Sequence, residues 1–126
     1  MARIAIVVVF ALAVPAATAW GAAGPADTLR AEVRHLQAGD YAKFYALMSP
    51  RFRADCPYAK FKRQGPEQRR QLAGAKLQIV RVHVAGDTAT IDYRFVRNGQ
   101  TLAVTGDRYV RVKGKWLDDV DQYTHC

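Results

Sequence analysis

The sequence predicts an α+β protein in which N-terminal helices pack on a curved four-stranded antiparallel sheet. Three observations predict it. Apolar residues recur at helical spacing through the first half, interrupted by glycine and proline. Two-residue hairpin signals, Gly86-Asp87 and Asn98-Gly99, punctuate the second half. Between these turns the alternation separates one apolar face from one mostly polar face, which is the mark of a sheet covered on one side.

The elements follow in order along 126 residues. Residues 1–19 read as a secretory signal peptide: Met1-Ala2-Arg3 is a positive start, Ile4 to Val14 an apolar run, and Ala17-Thr18-Ala19 a small-x-small cleavage site. An uncleaved anchor is disfavoured, because Ile4 to Ala19 falls short of the ~20 apolar residues a spanning helix wants and Pro15 interrupts it. No stable membrane insertion is expected after cleavage. A mature tail, 20–26, then precedes a single domain over 27–121 and a C-terminal tail over 122–126. The destination is a secreted, periplasmic or cell-envelope space.

Asp27 or Thr28 is a fitting N-cap after Pro25, and Leu29, Val33 and Leu36 mark the buried side of a first helix. Ala38-Gly39-Asp40 ends it and caps a second, where Tyr41, Phe44, Tyr45 and Met48 form an apolar-aromatic stripe. Ser49-Pro50 is read as a stop. Pro57 can open a short helix to about Arg63, and Gly65-Pro66 is read as a break before another turn or two to Leu72. Gly74 separates the helices from the sheet.

Tight turns fix register. Around Gly86-Asp87, Val84 is set against Ala89, Val82 against Ile91 and Val80 against Tyr93, with His83–Thr90, Arg81–Asp92 and Ile79–Arg94 on the other face. Around Asn98-Gly99, Phe95 meets Leu102 and Tyr93 meets Val104. Val82, Ile91, Tyr93, Phe95, Leu102 and Val104 are therefore expected to share a buried face. Gly106-Asp107 could turn again, but that would put Arg111 against Leu102 on the apolar face. A straight strand from Thr101 to Val112 keeps the apolar residues together and is preferred. Lys113-Gly114 is then the last turn, pairing Val110 with Leu117 and Arg111 with Trp116. This register sets Arg108 opposite Asp119 on the inner face.

Cys56 and Cys126 are the only cysteines. An even pair in an exported chain is expected to form one disulfide, worth ~4 kcal/mol by loop-closure entropy; two free thiols or an intermolecular bridge are the alternatives. Two cysteines and three scattered histidines provide no structural zinc set, and Asp118 alternates away from Asp119 and Asp121, so no metal is expected. The formal net charge is +8. Arg51, Arg53, Lys60, Lys62, Arg63, Arg69 and Arg70 form a basic stretch that could face an anionic envelope partner or simply water. No nucleic-acid motif accompanies it, and no nucleic-acid partner is expected. No cofactor is implied.

The helix order, Gly-Asp-Thr-Ala-Thr at Gly86 to Thr90 and Gly-Lys-Trp-Leu-Asp-Asp-Val at Gly114 to Val120 resemble the nuclear transport factor 2-like superfamily, which includes ketosteroid isomerase and cyclase-type proteins. The resemblance covers about Asp27 to Asp121. It implies a cone-shaped, cystatin-like arrangement with a cavity between sheet and helices. Candidate pocket residues are Tyr41, Tyr45, Tyr93, Arg108 and Asp119. The family's catalytic aspartate and tyrosine do not carry over to particular positions, so no catalytic residue is assigned. The preferred function is a secreted, non-catalytic domain binding a small apolar ligand or a protein or cell-envelope partner, with a homodimer possible. The alternative is an exported isomerase- or cyclase-type enzyme acting on an apolar ring compound in the cone.

Overall fold

A computed structural model describes residues 23–120 and 126. The signal-peptide reading, Asp121 and His125 lie outside them. Four helices precede four strands: α1 (Pro25–Ala38), α2 (Tyr41–Ala46), α3 (Pro50–Asp55), α4 (Tyr58–Leu72), β1 (Lys76–Ala85), β2 (Thr88–Arg97), β3 (Gln100–Val112) and β4 (Lys115–Asp118). The strands form one antiparallel sheet in the order β1-β2-β3-β4. The α+β expectation is met.

Helix α1 begins earlier than its sequence suggests. Gly24 is the cap, and its N–H donates to Asp27 Oδ2 at 3.0 Å, so Asp27 stands in the first turn. Thr28 is freed to donate to the Trp116 carbonyl at 2.9 Å, which ties α1 to β4. Gly39 ends the helix with φ 75°, the left-handed conformation that a side chain disfavours. Ser49-Pro50 does more than stop α2. Ser49 Oγ accepts from the Phe52 N–H at 3.1 Å, and Pro50 opens α3, a helix the sequence reading missed.

Gly65-Pro66 does not break the chain either, because α4 runs through it to Leu72. Proline there forfeits one backbone hydrogen bond, but the residue before it makes a close contact. A Cβ on Gly65 would lie 2.6 Å from the Tyr41 ring, so glycine is what lets α2 and α4 approach.

The sheet keeps the expected pairs next to each turn and departs from them at two bulges. On β1, Arg81 faces Asp92 as expected, but Ile79 rather than Val80 faces Tyr93, and Val80 is left exposed. On β3, Val104 faces Tyr93 while Asp107 faces Ile91. Thr105 and Gly106 thus stand against Asp92 alone. Gly106 has φ 68°, and its N–H donates to Asp92 Oδ1 at 2.7 Å. Both bulges sit at the level of Asp92, where they bend the strands together.

The second bulge inverts everything beyond it on β3. A straight strand would have pointed Arg108, Val110 and Val112 inward; the bulged strand instead turns in Asp107 and Tyr109, and Tyr109 is fully buried. Pairing with β4 then carries the same inversion to Asp118, opposite Tyr109.

Two apolar clusters result. Leu29, Val33, Ala89, Ile91, Phe95, Tyr109 and Trp116 fill the space between α1 and the sheet. Met48, Phe52, Cys56 and Phe61 form a second cluster under α2–α4, with Phe44, Tyr45, Tyr58, Val120 and Cys126 against it. The Cys56–Cys126 disulfide closes that second cluster, as the cysteine count led one to expect. The buried face is shorter than expected: Val82 and Leu102, 39% and 59% exposed, extend past the helices.

Candidate functional site

The site is a cavity of about 290 Å³ between α1, α4 and the concave side of the sheet. Its walls are apolar, supplied by Leu29, Val33 and Leu36 of α1, by Phe44 and Leu72, and by Phe95 and Val104 of the sheet. Its charged lining is acidic, Glu32 from α1, Asp107 from β3 and Asp118 from β4, with the neutral Tyr93 beside them and Gln68 and Gln71 on the α4 side. A larger open groove of about 630 Å³ runs past Arg30, Arg34, Gln37 and Lys76, away from these carboxyl groups.

Each acidic side chain is positioned by a local rule. Glu32 follows Leu29 by three residues and precedes Val33 and Leu36, so it lies on the apolar stripe of α1 and is carried into the interior. Asp107 points inward because of the Gly106 bulge. Asp118 alternates with Leu117 and sits opposite Tyr109. Its main chain is locked by the 47–49 connection: its N–H donates to the Leu47 carbonyl at 2.8 Å, and its carbonyl accepts from the Ser49 N–H at 2.7 Å.

The hydroxyl protons nearby are already committed. Tyr93 donates to Asp107 Oδ2 at 2.9 Å, and Tyr109 donates to Glu32 Oε2 at 3.3 Å. Glu32 Oε1 and Asp118 Oδ1 are buried and, with both groups ionised, have no donor. A proton held between the two carboxyl groups lets one donate to the other.

Electrostatics point the same way. Burial pushes the Glu32 carboxyl well above the usual range, and Asp118 and then Asp107 add to the rise by repulsion. Asp118 is likewise pushed well up by burial, and by the charges of Asp107 and Asp119. Asp107 is raised by burial, against the lowering effect of the bond from Tyr93. Burial and the same carboxylates drive the Tyr93 and Tyr109 phenols above their ordinary value, so both remain protonated. The cluster therefore holds protons that isolated carboxylates would have released.

Of the expected pocket residues, Tyr93 lines this cavity. Tyr41 is spent against Gly65. Tyr45 stacks on Tyr58 and Phe61 and donates to the Cys56 carbonyl at 2.8 Å, inside the disulfide cluster. Arg108 and Asp119 do pair, with Nε and Oδ2 3.5 Å apart, but on the other face of the sheet. There Asp119 Oδ1 also accepts from Ser49 Oγ at 2.6 Å and from Arg51 Nε at 2.9 Å. The reason is the bulge, which exchanged Arg108 for Asp107.

The basic stretch is divided between α3 and α4. Arg51 turns to Asp119, Arg69 donates to the Gln37 carbonyl and Arg70 bonds Glu67, while Arg53, Lys60, Lys62 and Arg63 stand on exposed surface. Among the described residues no group of His, Cys, Asp and Glu is arranged to hold a metal ion.

Glu32, Asp107 and Asp118 are the residues that reading the sequence missed. Glu32 was findable as the one acid on an apolar helical stripe. Asp107 and Asp118 were findable from Gly106, a glycine inside a strand and hence a bulge signal.

No family model matches the sequence, and no curated protein matches it. Solved structures do match by shape. A Campylobacter jejuni protein described as an NTF2-like transpeptidase superposes with a TM-score of 0.63 at 16% identity, over 79% of this chain and 100% of its own. A SEC-C motif containing protein from Rhodopseudomonas palustris superposes with a TM-score of 0.57 at 15% identity, over 78% of this chain and 77% of its own. At these identities the likeness speaks for the fold alone. Helices α1–α4 laid over a bulged, curved β1-β2-β3-β4 sheet are thus the nuclear transport factor 2-like fold.

Proposed function

We propose that this protein is an exported, non-catalytic binding domain whose cavity takes a small ligand with an apolar body and a hydrogen-bond-donating head. The observation carrying this reading is the composition of the cavity: apolar walls closing on three carboxyl groups, two of which have a buried oxygen left without a donor when both are ionised. The disulfide supports export. Among the described residues no helix is long and apolar enough to cross a membrane.

A second reading, an isomerase- or cyclase-type enzyme, draws on the raised carboxyl of Asp107 beside the Tyr93 hydroxyl. It is weaker on a specific point. An oxyanion-stabilising site needs donors aimed at the substrate, and here both tyrosine hydroxyls already donate to carboxyl groups.

A thermal-shift screen of small ring compounds separates the possibilities when run on the natural chain and on Val104→Trp, which fills the cavity from β3. Compounds that raise the melting temperature of the natural chain and lose that effect in Val104→Trp support binding in the cavity. Stabilisation that survives the substitution contradicts it, and conversion of a bound compound to product favours the enzyme.

A further inference from the structure

We infer that the head group the cavity selects is a cationic amine, an ammonium on a compact apolar body seated between Glu32, Asp107 and Asp118; this rests on the binding reading above. The geometry argues it in three steps. The three carboxyl groups come from three separate elements, α1, β3 and β4, and converge on one cavity. Among the described residues lining that cavity there is no lysine, arginine or histidine to balance them. Glu32 and Asp118 are each only 5% exposed, yet once both are ionised Glu32 Oε1 and Asp118 Oδ1 have no donor from the described residues.

A site of this kind discriminates by donor count and charge. A primary ammonium has three N–H donors and a positive charge, matching three acceptor groups. A hydroxyl has one donor and no charge, and an anion would be repelled by every carboxyl present. Among the described residues, the groups facing the site are Glu32 from α1, Tyr93 from β2, Asp107 and Tyr109 from β3, Asp118 from β4, and the uncharged Phe44, Gln68 and Gln71 from α2 and α4. The volume suits a body of about one ring, at the small end of ligand cavities.

Binding then exchanges a proton for the ligand's charge. The carboxyl proton shared by Glu32 and Asp118 leaves for solvent as the ammonium enters, so the cluster becomes ionised and paired in one step. No covalent bond of the ligand changes.

Isothermal titration of the full chain at about pH 7 tests this with three probes of one shape: 2-phenylethylamine, 2-phenylethanol and 3-phenylpropionate. The amine should bind at least about tenfold more tightly than the alcohol, the carboxylate should not bind, and measured heats should differ between buffers in the sense of proton release. The Glu32→Gln/Asp118→Asn double variant should bring the amine to within about threefold of the alcohol. Asp107→Asn alone, on a partly exposed residue, should reduce amine preference and serves if the double variant fails to fold. Alcohol binding equal to or tighter than amine binding overturns the amine assignment while leaving cavity binding in place. Binding by none of the three also overturns it, and the Val104→Trp screen then decides the wider reading separately.

Discussion

Asp118 and Asp119 are neighbours on one strand end, each 5% exposed, and the protein treats them in opposite ways. Asp119 faces a prepared surround of Ser49 Oγ, Arg51 and Arg108. Asp118, one residue earlier, faces Glu32 and the Asp107 side of the cavity, where one of its oxygens has no donor but a proton shared with Glu32. Alternation along a strand is what makes this possible, since adjacent side chains leave on opposite faces. The lesson is that a buried charge in a small domain can be either structural or held in reserve, and the partners decide which. On the Asp119 side every acceptor is used for stability. On the Asp118 side two buried carboxyl groups meet with no donor between them but the proton they share, which costs stability.

The largest expected effect lies on the structural side. Replacing both Cys56 and Cys126 by alanine should lower the unfolding free energy by ~4 kcal/mol, since the bond closes a separation of 70 residues. Denaturant melts of oxidised protein and variant measure it; an unchanged midpoint would mean that the cluster around Phe52 and Phe61 holds itself.

Next comes the pair of aspartates. Asp119→Ala removes the acceptor of the Ser49 hydroxyl and one carboxylate partner from each of two arginines that are roughly half exposed, so the loss should be about 2–3 kcal/mol, below that of a fully buried pair. Asp118→Asn should be neutral or stabilising by up to about 1 kcal/mol near neutral pH, because the amide can donate to Glu32 and removes a repelling carboxyl. Equal losses at the two positions would break the comparison.

The smallest effect is a slope. Glu32, Asp107 and Asp118 all bind their protons more tightly in the folded chain than in the unfolded one. Their contribution is therefore greatest below the unfolded carboxyl range of about 4, and it is lost as pH rises from there through the raised folded values. Asp118→Asn removes part of that slope, so its advantage over the natural chain should grow between about pH 4 and pH 8. An advantage that shrinks over that interval would contradict the sign.

Much of this fold was legible in the sequence, and the site was legible only in part, for one physical reason. Hairpin turns state their own register, so Val84–Ala89, Phe95–Leu102 and Val110–Leu117 could be written down beforehand. A bulge has no such local code beyond a glycine in a strand, and Gly106 was passed over in favour of an uninterrupted apolar face. That single extra residue moved Asp107 inward and Arg108 outward, and transferred the inner position from Asp119 to Asp118. Gly65-Pro66 misled in the other direction: its turn-like composition serves a close helix contact with Tyr41 that only tertiary structure reveals. Glu32 needed no structure, only attention to an acid on an apolar stripe.

The proton held on the cavity side is the most direct point of test. Carbon-13 NMR titration of the side-chain carboxyl signals of Glu32 and Asp118 in the ligand-free chain reads it residue by residue. The expected result is that both titrate well above the ordinary carboxylate range of about 4, in mutually dependent steps, and that Asp118→Asn lowers the Glu32 midpoint. Independent titration of both groups within the ordinary range would contradict the shared proton, and with it the distinction between the two aspartates.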